Sequence, residues 1–167
     1  MQNDYAQAYV MLGNIAKIET DQDKAIEKFT KAITIEKDQK SLLKIKYSLA
    51  ELYLDNGRFQ DAIKMANNYL ALDTKNYNVT FIKAVAHMKL KEYNEAIDSF
   101  QKLIDYQGLD IAQKTKFEFA LGILYKEIKN YDLAKKSLKK SSYGGFKSVS
   151  MMAMEEIAEE EKSKEEQ

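Results

Sequence analysis

A short motif that recurs every 34 to 38 residues constrains the fold of this chain more than any other feature. Its clearest copy is N-G-R-F-Q-D-A-I at 56–63, and its copies can be anchored on an alanine in each repeat. The anchors are Ala25, Ala62, Ala96 and Ala134, at intervals of 37, 34 and 38 residues. A period in this range is typical of stacked helix pairs, in which each repeat is one helix-turn-helix. The chain is therefore predicted to be a helical repeat array.

The composition favours helices along the whole chain. It has no proline and only six glycines in 167 residues, so few positions break a helix. Eight repeat helices are predicted, at 5–18, 21–37, 41–56, 59–73, 77–91, 93–106, 110–128 and 131–142. The Asn56-Gly57 pair marks a turn between two helices of one repeat, because glycine often follows the end of a helix.

The two helical stretches of each repeat carry small and large apolar residues in fixed places. In the first stretch a small residue follows a leucine, at Leu12-Gly13, Leu49-Ala50 and Leu121-Gly122, whereas Lys83-Ala84 departs from the pattern. In the second stretch a large apolar residue follows the anchoring alanine by four, at Phe29, Phe100 and Leu138. Ala66 departs there, and Tyr69, one turn later, is expected to supply the missing bulk. Small residues let two helices cross closely while large ones fill the space beside them.

These residues resemble the tetratricopeptide repeat (TPR) family, whose period is about 34 residues. The resemblance covers four repeats, roughly Ala6–Lys147. The proline that often ends the second helix of this repeat is absent from every copy, where Lys37, Thr74, Gly108 and Phe146 stand instead. The resemblance implies an all-α, right-handed TPR superhelix (an α-solenoid) of four helix-turn-helix repeats plus a C-terminal capping helix.

The end of the chain differs from the repeats. A break at Gly144-Gly145 is followed by Val149, Met152 and Ile157 at roughly helical spacing, which indicates a helix covering the last repeat. The expected organisation is a four-repeat array over 1–147, a capping helix over 148–163 and a frayed acidic tail over 164–167.

The charge pattern gives no support to nucleic-acid binding or membrane insertion. The 26 basic and 26 acidic residues cancel, and residues 151–167 carry a net charge of −5. No apolar run approaches the roughly 18 residues that span a bilayer, and no charged-then-apolar leader opens the chain. The sequence favours a soluble protein in the cytoplasm, and a periplasmic location or a membrane-anchored precursor remains open.

No constellation of catalytic or cofactor-binding residues is evident. The chain has no cysteine and a single histidine, His87, which is interpreted as a packing residue. The tail glutamates lack the spacing of a calcium loop. The lysines near residues 135–147 are interpreted as a solvated face, a contact for phosphate or an acidic partner, or a contact for the chain's own tail. We therefore expect no enzyme and no cofactor.

The resemblance places a binding surface on the first helices of the repeats, which line the concave side of such an array. One equivalent position carries Val10, Tyr47, Phe81 and Phe119, and the next turn carries Asn14, Glu51, Val85 and Ile123. Leu54 and Met88 follow one turn later. A surface helix face is normally polar. This one is aromatic and aliphatic, so it is predicted to bind an apolar peptide or partner helix.

Two other interpretations remain open. The same residues could be further core, buried by curvature or by the C-terminal helix, or the array could be a structural component that self-associates as a homo-oligomer. The chaperone-type carboxylate clamp of some TPR domains is not expected, because only Asn14 matches it while Val10, Ser48, Asn78 and Ile82 fill the other positions.

Overall fold

The structure is a computed structural model that describes the backbone of residues 2–165 and the side chains of residues 5–164. This part of the chain contains nine α-helices, one 3₁₀ turn and no β-strand. The helices are α1 (Gln2–Ile18), α2 (Gln22–Ile35), α3 (Gln39–Asp55), α4 (Phe59–Leu70), α5 (Tyr77–Lys89), α6 (Tyr93–Ile104), α7 (Ile111–Glu127), α8 (Tyr131–Ser141) and α9 (Lys147–Glu165). All eight predicted repeat helices are present, with ends within three residues of the predicted ones.

Short polar side chains start several of these helices. The carboxylate of Asp38 accepts a hydrogen bond from the backbone N–H of Ser41 at 2.8 Å, at the start of α3. At α7, Asp110 and Gln113 form a reciprocal capping box, with bonds of 2.7 and 3.0 Å. Such caps satisfy backbone donors that have no partner inside the helix. Local sequence therefore fixes where the first helices begin.

The turn inside each repeat has the same backbone conformation. One residue with positive φ lies there in every copy, and the four are Thr20, Gly57, Lys91 and Lys129. Their intervals match those of the anchoring alanines, so the turn is part of the repeat. Only Gly57 can adopt this conformation without the cost that a Cβ atom imposes. The glycine at the best copy of the motif is thus explained by backbone geometry.

The chain divides into two compact units, Met1–Leu90 and Lys91–Gln167, which we call the N-terminal and C-terminal units. The N-terminal unit contains α1 to α5 and the C-terminal unit α6 to α9. Helices α1, α3, α5 and α7 are first helices of repeats, and α2, α4, α6 and α8 are second helices. Each second helix packs against the helix that follows it, namely α3, α5, α7 or α9.

The core of the N-terminal unit is built between α2 and its neighbours. Its main cluster joins Ala16 of α1, Ala25, Ile26, Phe29 and Ala32 of α2, and Ile45, Leu49 and Leu52 of α3. A Cβ atom on Gly13 would lie 3.1 Å from the Phe29 ring, so the glycine permits the close approach of α1 and α2. Beyond this cluster, Tyr69 is buried beside Ala66 and supplies the bulk expected of it.

The C-terminal unit repeats this packing and ends with α9. Gly122 faces Leu138, and the rings of Phe100 and Phe117 lie 6.2 Å apart. The predicted capping helix is present as α9 and packs on α8. Lys164 and Glu165, in the predicted frayed tail 164–167, are helical, and residues 166 and 167 lie outside the described part of the chain.

Polar contacts hold α9 against the last repeat. The Ser141 and Ser150 hydroxyls are both buried and lie 2.9 Å apart. The Tyr131 hydroxyl donates to the Glu160 carboxylate at 2.6 Å. Ile157 is completely buried in the same helix. Of the three residues that the sequence indicated for the covering face of α9, only Ile157 is buried, whereas Val149 and Met152 are 42% and 56% exposed. The prediction was wrong for these two residues, because α9 turns Ser150, Ala153 and Ile157 inward instead.

Candidate partner-binding site

Eight of the ten predicted binding residues belong to the N-terminal unit. Asn14 is exposed, whereas the other seven are half-buried: Val10, Tyr47, Glu51, Leu54, Phe81, Val85 and Met88. Half-burial arises because these side chains lie over the core while keeping one side in solvent. Tyr47 and Leu54 pack on the cluster of Ala50, Ala62, Ile82 and Ala86, and Val10 packs on the main cluster. The interpretation as further core is thus partly right for these three residues.

Tyr47 lies at the centre of a small polar network on this face. Its hydroxyl donates to the Glu51 carboxylate at 3.3 Å, one turn along α3. The Lys17 ammonium of α1 lies 3.8 Å from the same carboxylate. Burial raises the pKa of the Tyr47 phenol, and the negative charge of Glu51 raises it further, so the hydroxyl stays protonated at neutral pH. The Tyr47 hydroxyl is thus fixed by Glu51, which also faces Lys17 of the neighbouring helix.

A pocket of about 440 Å³ opens beside Tyr47, between α3 and the start of α5. It is lined by Lys40, Leu43, Lys44, Tyr47, Ser48, Tyr69, Asn76 and Asn78. The apolar walls come from the leucine and the two tyrosines, and two lysines but no carboxylate stand in the lining. Sequence reasoning missed this pocket, although the i, i+4 spacing of Lys40 and Lys44 next to Tyr47 puts all three on neighbouring turns of one helix.

The remaining two predicted residues lie in the C-terminal unit, where the chain's own end contacts the same face. The Phe119 ring packs on the Phe146 ring with centroids 5.2 Å apart. Phe146 belongs to the 3₁₀ turn Gly144–Phe146 that leads into α9. Ile123 is half-buried one turn further on. In α7, Lys126 is paired with Glu156 of α9 and lies 3.9 Å from Glu160.

The other candidate residues take structural roles. His87 is buried in α5, as the packing interpretation requires. Lys135 lies 2.5 Å from Glu161 of α9, which confirms contact with the chain's own tail for this lysine, while Lys140 lies 2.8 Å from Glu118 of α7.

Among the described residues 2–165, no group of three or more acidic, histidine or cysteine side chains is placed to hold a metal ion. None of the described helices combines the length and apolar character that a bilayer crossing requires.

Helix pairs that repeat along the chain, with aromatic side chains on their first helices, are typical of helical-repeat proteins that bind other proteins. Residues 47–110 match one tetratricopeptide repeat model, and residues 6–39 and 119–143 match a second. The chain belongs to the tetratricopeptide repeat family. Members of this family are typically non-catalytic modules that bind other proteins. This chain is a protein-interaction or scaffold module.

Solved structures with the same fold share little sequence with this chain. A structure described as MamA protein superposes with a TM-score of 0.81 at 20% identity, covering 98% of this chain and 86% of that one. A tetratricopeptide repeat protein from Parabacteroides merdae gives 0.81 at 16% identity, covering 94% and 61%. MamA from Desulfovibrio magneticus gives 0.73 at 16% identity, covering 93% and 90%. At these identities the likeness shows the fold alone.

A curated relative matches only part of this chain. The Bos taurus protein described as BBSome complex member BBS4 is 37% identical over 75 residues, which is 45% of this chain. The chain spans about 14% of the length of that protein.

Proposed function

We propose that the N-terminal unit binds an apolar peptide or a partner helix on its first-helix face, and that the protein acts as an adaptor or assembly factor. The observation that carries this proposal is Tyr47, a half-buried aromatic side chain at the edge of a pocket. Aromatic side chains set in pockets are the usual anchors of protein interfaces. Phe81, Val85 and Met88 extend the apolar surface along α5. A short amphipathic helix or extended segment is the kind of ligand that such a face takes.

The residues that line the pocket indicate which side chains a ligand would carry. An apolar side chain of the partner fits between Leu43, Tyr47 and Tyr69, and the ammonium groups of Lys40 and Lys44 favour an acidic residue next to it. Phe119 and Ile123 remain part of the proposed surface in the C-terminal unit, where a ligand would have to share the face with Phe146. The N-terminal unit is therefore the first place to test.

A library of random peptides displayed on phage provides a probe that requires no knowledge of the partner. Peptides selected on the wild-type protein are expected to carry an apolar residue beside an acidic one. Tyr47→Ala is expected to weaken their binding by roughly tenfold to a hundredfold, the range of interface anchors. Tyr143→Ala provides the control, because that tyrosine is 65% exposed in the C-terminal unit and lies outside the proposed surface.

The Tyr47 variant requires a folding check. The Tyr47 ring packs on two core clusters, so some loss of stability is expected in the variant. Binding is therefore compared well below the melting temperature, with helix content measured by circular dichroism. Folded Tyr47→Ala protein that binds the selected peptides as tightly as wild type would refute the proposed site.

A further inference from the structure

Helix α1 exposes a row of apolar side chains that we call the α1 stripe. Apart from the adjacent Met11 and Leu12, successive members are three residues apart, so they lie on one side of the helix. The α1 stripe consists of Tyr5, Ala8, Met11, Leu12, Ile15 and Ile18, all of them exposed. Ile18 is 83% and Met11 66% exposed. Single exposed apolar residues are ordinary on a protein surface, but a contiguous row of this kind marks an interaction site.

The equivalent positions in the next first helix are core. Leu49 and Leu52 of α3 follow Leu12 and Ile15 by one interval of 37 residues, and they are 0% and 3% exposed. They are buried because α2 packs across them. Leu12 and Ile15 are 44% and 48% exposed, since no described helix packs there. The α1 stripe thus has the shape and chemistry of a surface that receives another helix.

The charge and spacing of the stripe indicate which helix it receives. Between Tyr5 and Ile18 the only charged residue is Lys17, whose ammonium turns towards Glu51 of α3. Two copies of this face can therefore meet without repulsion between like charges. Positions 5, 8, 12 and 15 also alternate intervals of three and four, the spacing with which two helices interlock their side chains.

Among the described helices of a second copy, α1 is the one that best matches the α1 stripe. Each of the second helices α2, α4, α6 and α8 is already covered by the helix that follows it. The exposed Val149, Met151 and Met152 of α9 are followed by Glu155 and Glu156, so an apolar stripe laid along α9 would meet carboxylates. A contact between two α1 helices is also self-complementary, as a twofold interface must be.

We propose that the α1 stripe packs against the α1 stripe of a second copy about a twofold axis, so that the protein forms a closed homodimer. The contact is separate from the pocket beside Tyr47, because the residues that line the pocket lie on α3, on α4 and at the start of α5. Failure of peptide binding therefore leaves this proposal standing, and the reverse also holds. Dimerisation doubles the number of peptide sites in one particle, which raises avidity for a partner with several binding segments.

Analytical ultracentrifugation over a series of protein concentrations tests the dimer. The wild type is expected to move from monomer to dimer and no further. The double variant Leu12→Glu with Ile15→Glu is expected to weaken dimerisation by roughly a hundredfold or more, because it forces carboxylates into an apolar contact. Ile111→Glu is the matched control, since Ile111 is 68% exposed at the start of α7 and is expected to dimerise like wild type.

Several outcomes would overturn the proposal. A wild type that stays monomeric means that a different helix, from another protein or another part of a longer chain, covers the stripe. Assemblies that keep growing beyond the dimer indicate open stacking instead of a twofold contact. A dimer that survives the double substitution places the interface elsewhere. The two substituted side chains are about half exposed in the monomer, so circular dichroism is expected to show an unchanged fold.

Introduced cysteines provide a second test, because a disulfide forms only where the same position of two copies comes close together. The natural chain contains no cysteine, so one substitution introduces one thiol. Met11→Cys lies near the middle of the stripe, where the same residue of two copies comes together about a twofold axis, and it is expected to form a disulfide-linked dimer under mild oxidation. Met152→Cys on α9 is similarly exposed and is expected to remain unlinked. Equal crosslinking of both variants would contradict the proposed interface.

Discussion

Ile15 of α1 and Ile157 of α9 both lie on the apolar side of their helices and have opposite environments. Ile15 belongs to the repeat position that also contains Leu52 and Leu124, whereas Ile157 belongs to the helix that covers the last repeat. Ile15 is 48% exposed, whereas Ile157 is completely buried. The difference comes from the neighbouring helix. Helix α8 packs against the face of α9 that holds Ile157. Among the described residues, no helix packs against the exposed apolar face of α1.

This comparison separates two properties that a repeat sequence combines. The position within the repeat decides which face of a helix is apolar, because helical period and turn geometry are local. A neighbouring helix decides whether that apolar face becomes core or interaction surface.

Replacing each of the two isoleucines with alanine tests whether one is core and the other is surface. This pair has the largest expected difference in the free energy of unfolding. Ile157→Ala is expected to lower the free energy of unfolding by about 2–5 kcal/mol, since it leaves a cavity between α9 and α8. Ile15→Ala is expected to cost about 0.5 kcal/mol or less, because much of its side chain is already in solvent. Denaturant unfolding followed by circular dichroism, at concentrations where the wild type is monomeric, measures both. Similar losses for the two variants would mean that Ile15 is core as well.

Gly122 and Gly13 give the next largest contrast. A Cβ on Gly122 would lie 2.6 Å from Cγ of Leu138, so Gly122→Ala forces α7 and α8 apart. We expect a net loss of about 1–2 kcal/mol, because overpacking outweighs the gain of about 1 kcal/mol in helix propensity. Gly13→Ala meets only the edge of the Phe29 ring at 3.1 Å and is expected to stay within about 1 kcal/mol of wild type. Thermal melting ranks the pair, and a more stable Gly122→Ala would show that the helices separate easily.

The contacts of α9 predict a smaller, pH-dependent effect in the C-terminal unit. The hydrogen bond from Tyr131 holds the pKa of the Glu160 carboxyl below its usual value of 4.5. The same bond is the largest cause of the raised pKa of the Tyr131 phenol, and burial of the phenol is the second. Glu160 therefore stabilises the fold above about pH 4.5, and this contribution is lost as the pH falls through its lowered pKa. The phenol contributes below its usual pKa of 10 and loses its contribution as the pH rises through the raised value.

Tyr131→Phe isolates this bond, because it removes the hydroxyl and keeps the ring. Melting temperatures of the wild type and the variant are compared at neutral pH and at about pH 3, below the usual pKa of a glutamate. The difference between the two proteins is expected to be small at neutral pH and smaller still in acid. A difference that grows in acid would contradict the direction of the Glu160 pKa.

Much of the architecture could be predicted from the residues alone. The period of the anchoring alanines gave the helix pairs, and all eight repeat helices lie within three residues of their predicted ends. The substitution of Tyr69 for the missing bulk at Ala66 was also predictable, because residues three apart on a helix share a face. These features depend on helix propensity, turn geometry and period, which are all encoded within a few neighbouring residues.

The candidate site was less predictable. Residue types indicated an apolar first-helix face, yet they did not show that Phe146 lies on Phe119 or that Tyr47 borders a pocket with Lys40 and Lys44. Phe119 and Phe146 are far apart in sequence. The pocket is completed by Tyr69, Asn76 and Asn78 from outside α3, so both features depend on how the helices pack. The same holds for Lys135, for which the sequence left three interpretations open and the structure shows a partner in Glu161.

The sequence by itself determined the repeat, the approximate ends of its helices and which side of each repeat helix is apolar, because hydrogen bonding and side-chain period act over a few residues. Only the tertiary structure decided which of those apolar sides are covered. Burial of a side chain is a property of its neighbours in space, and Ile15 and Ile157 are both apolar residues of amphipathic helices but have different neighbours.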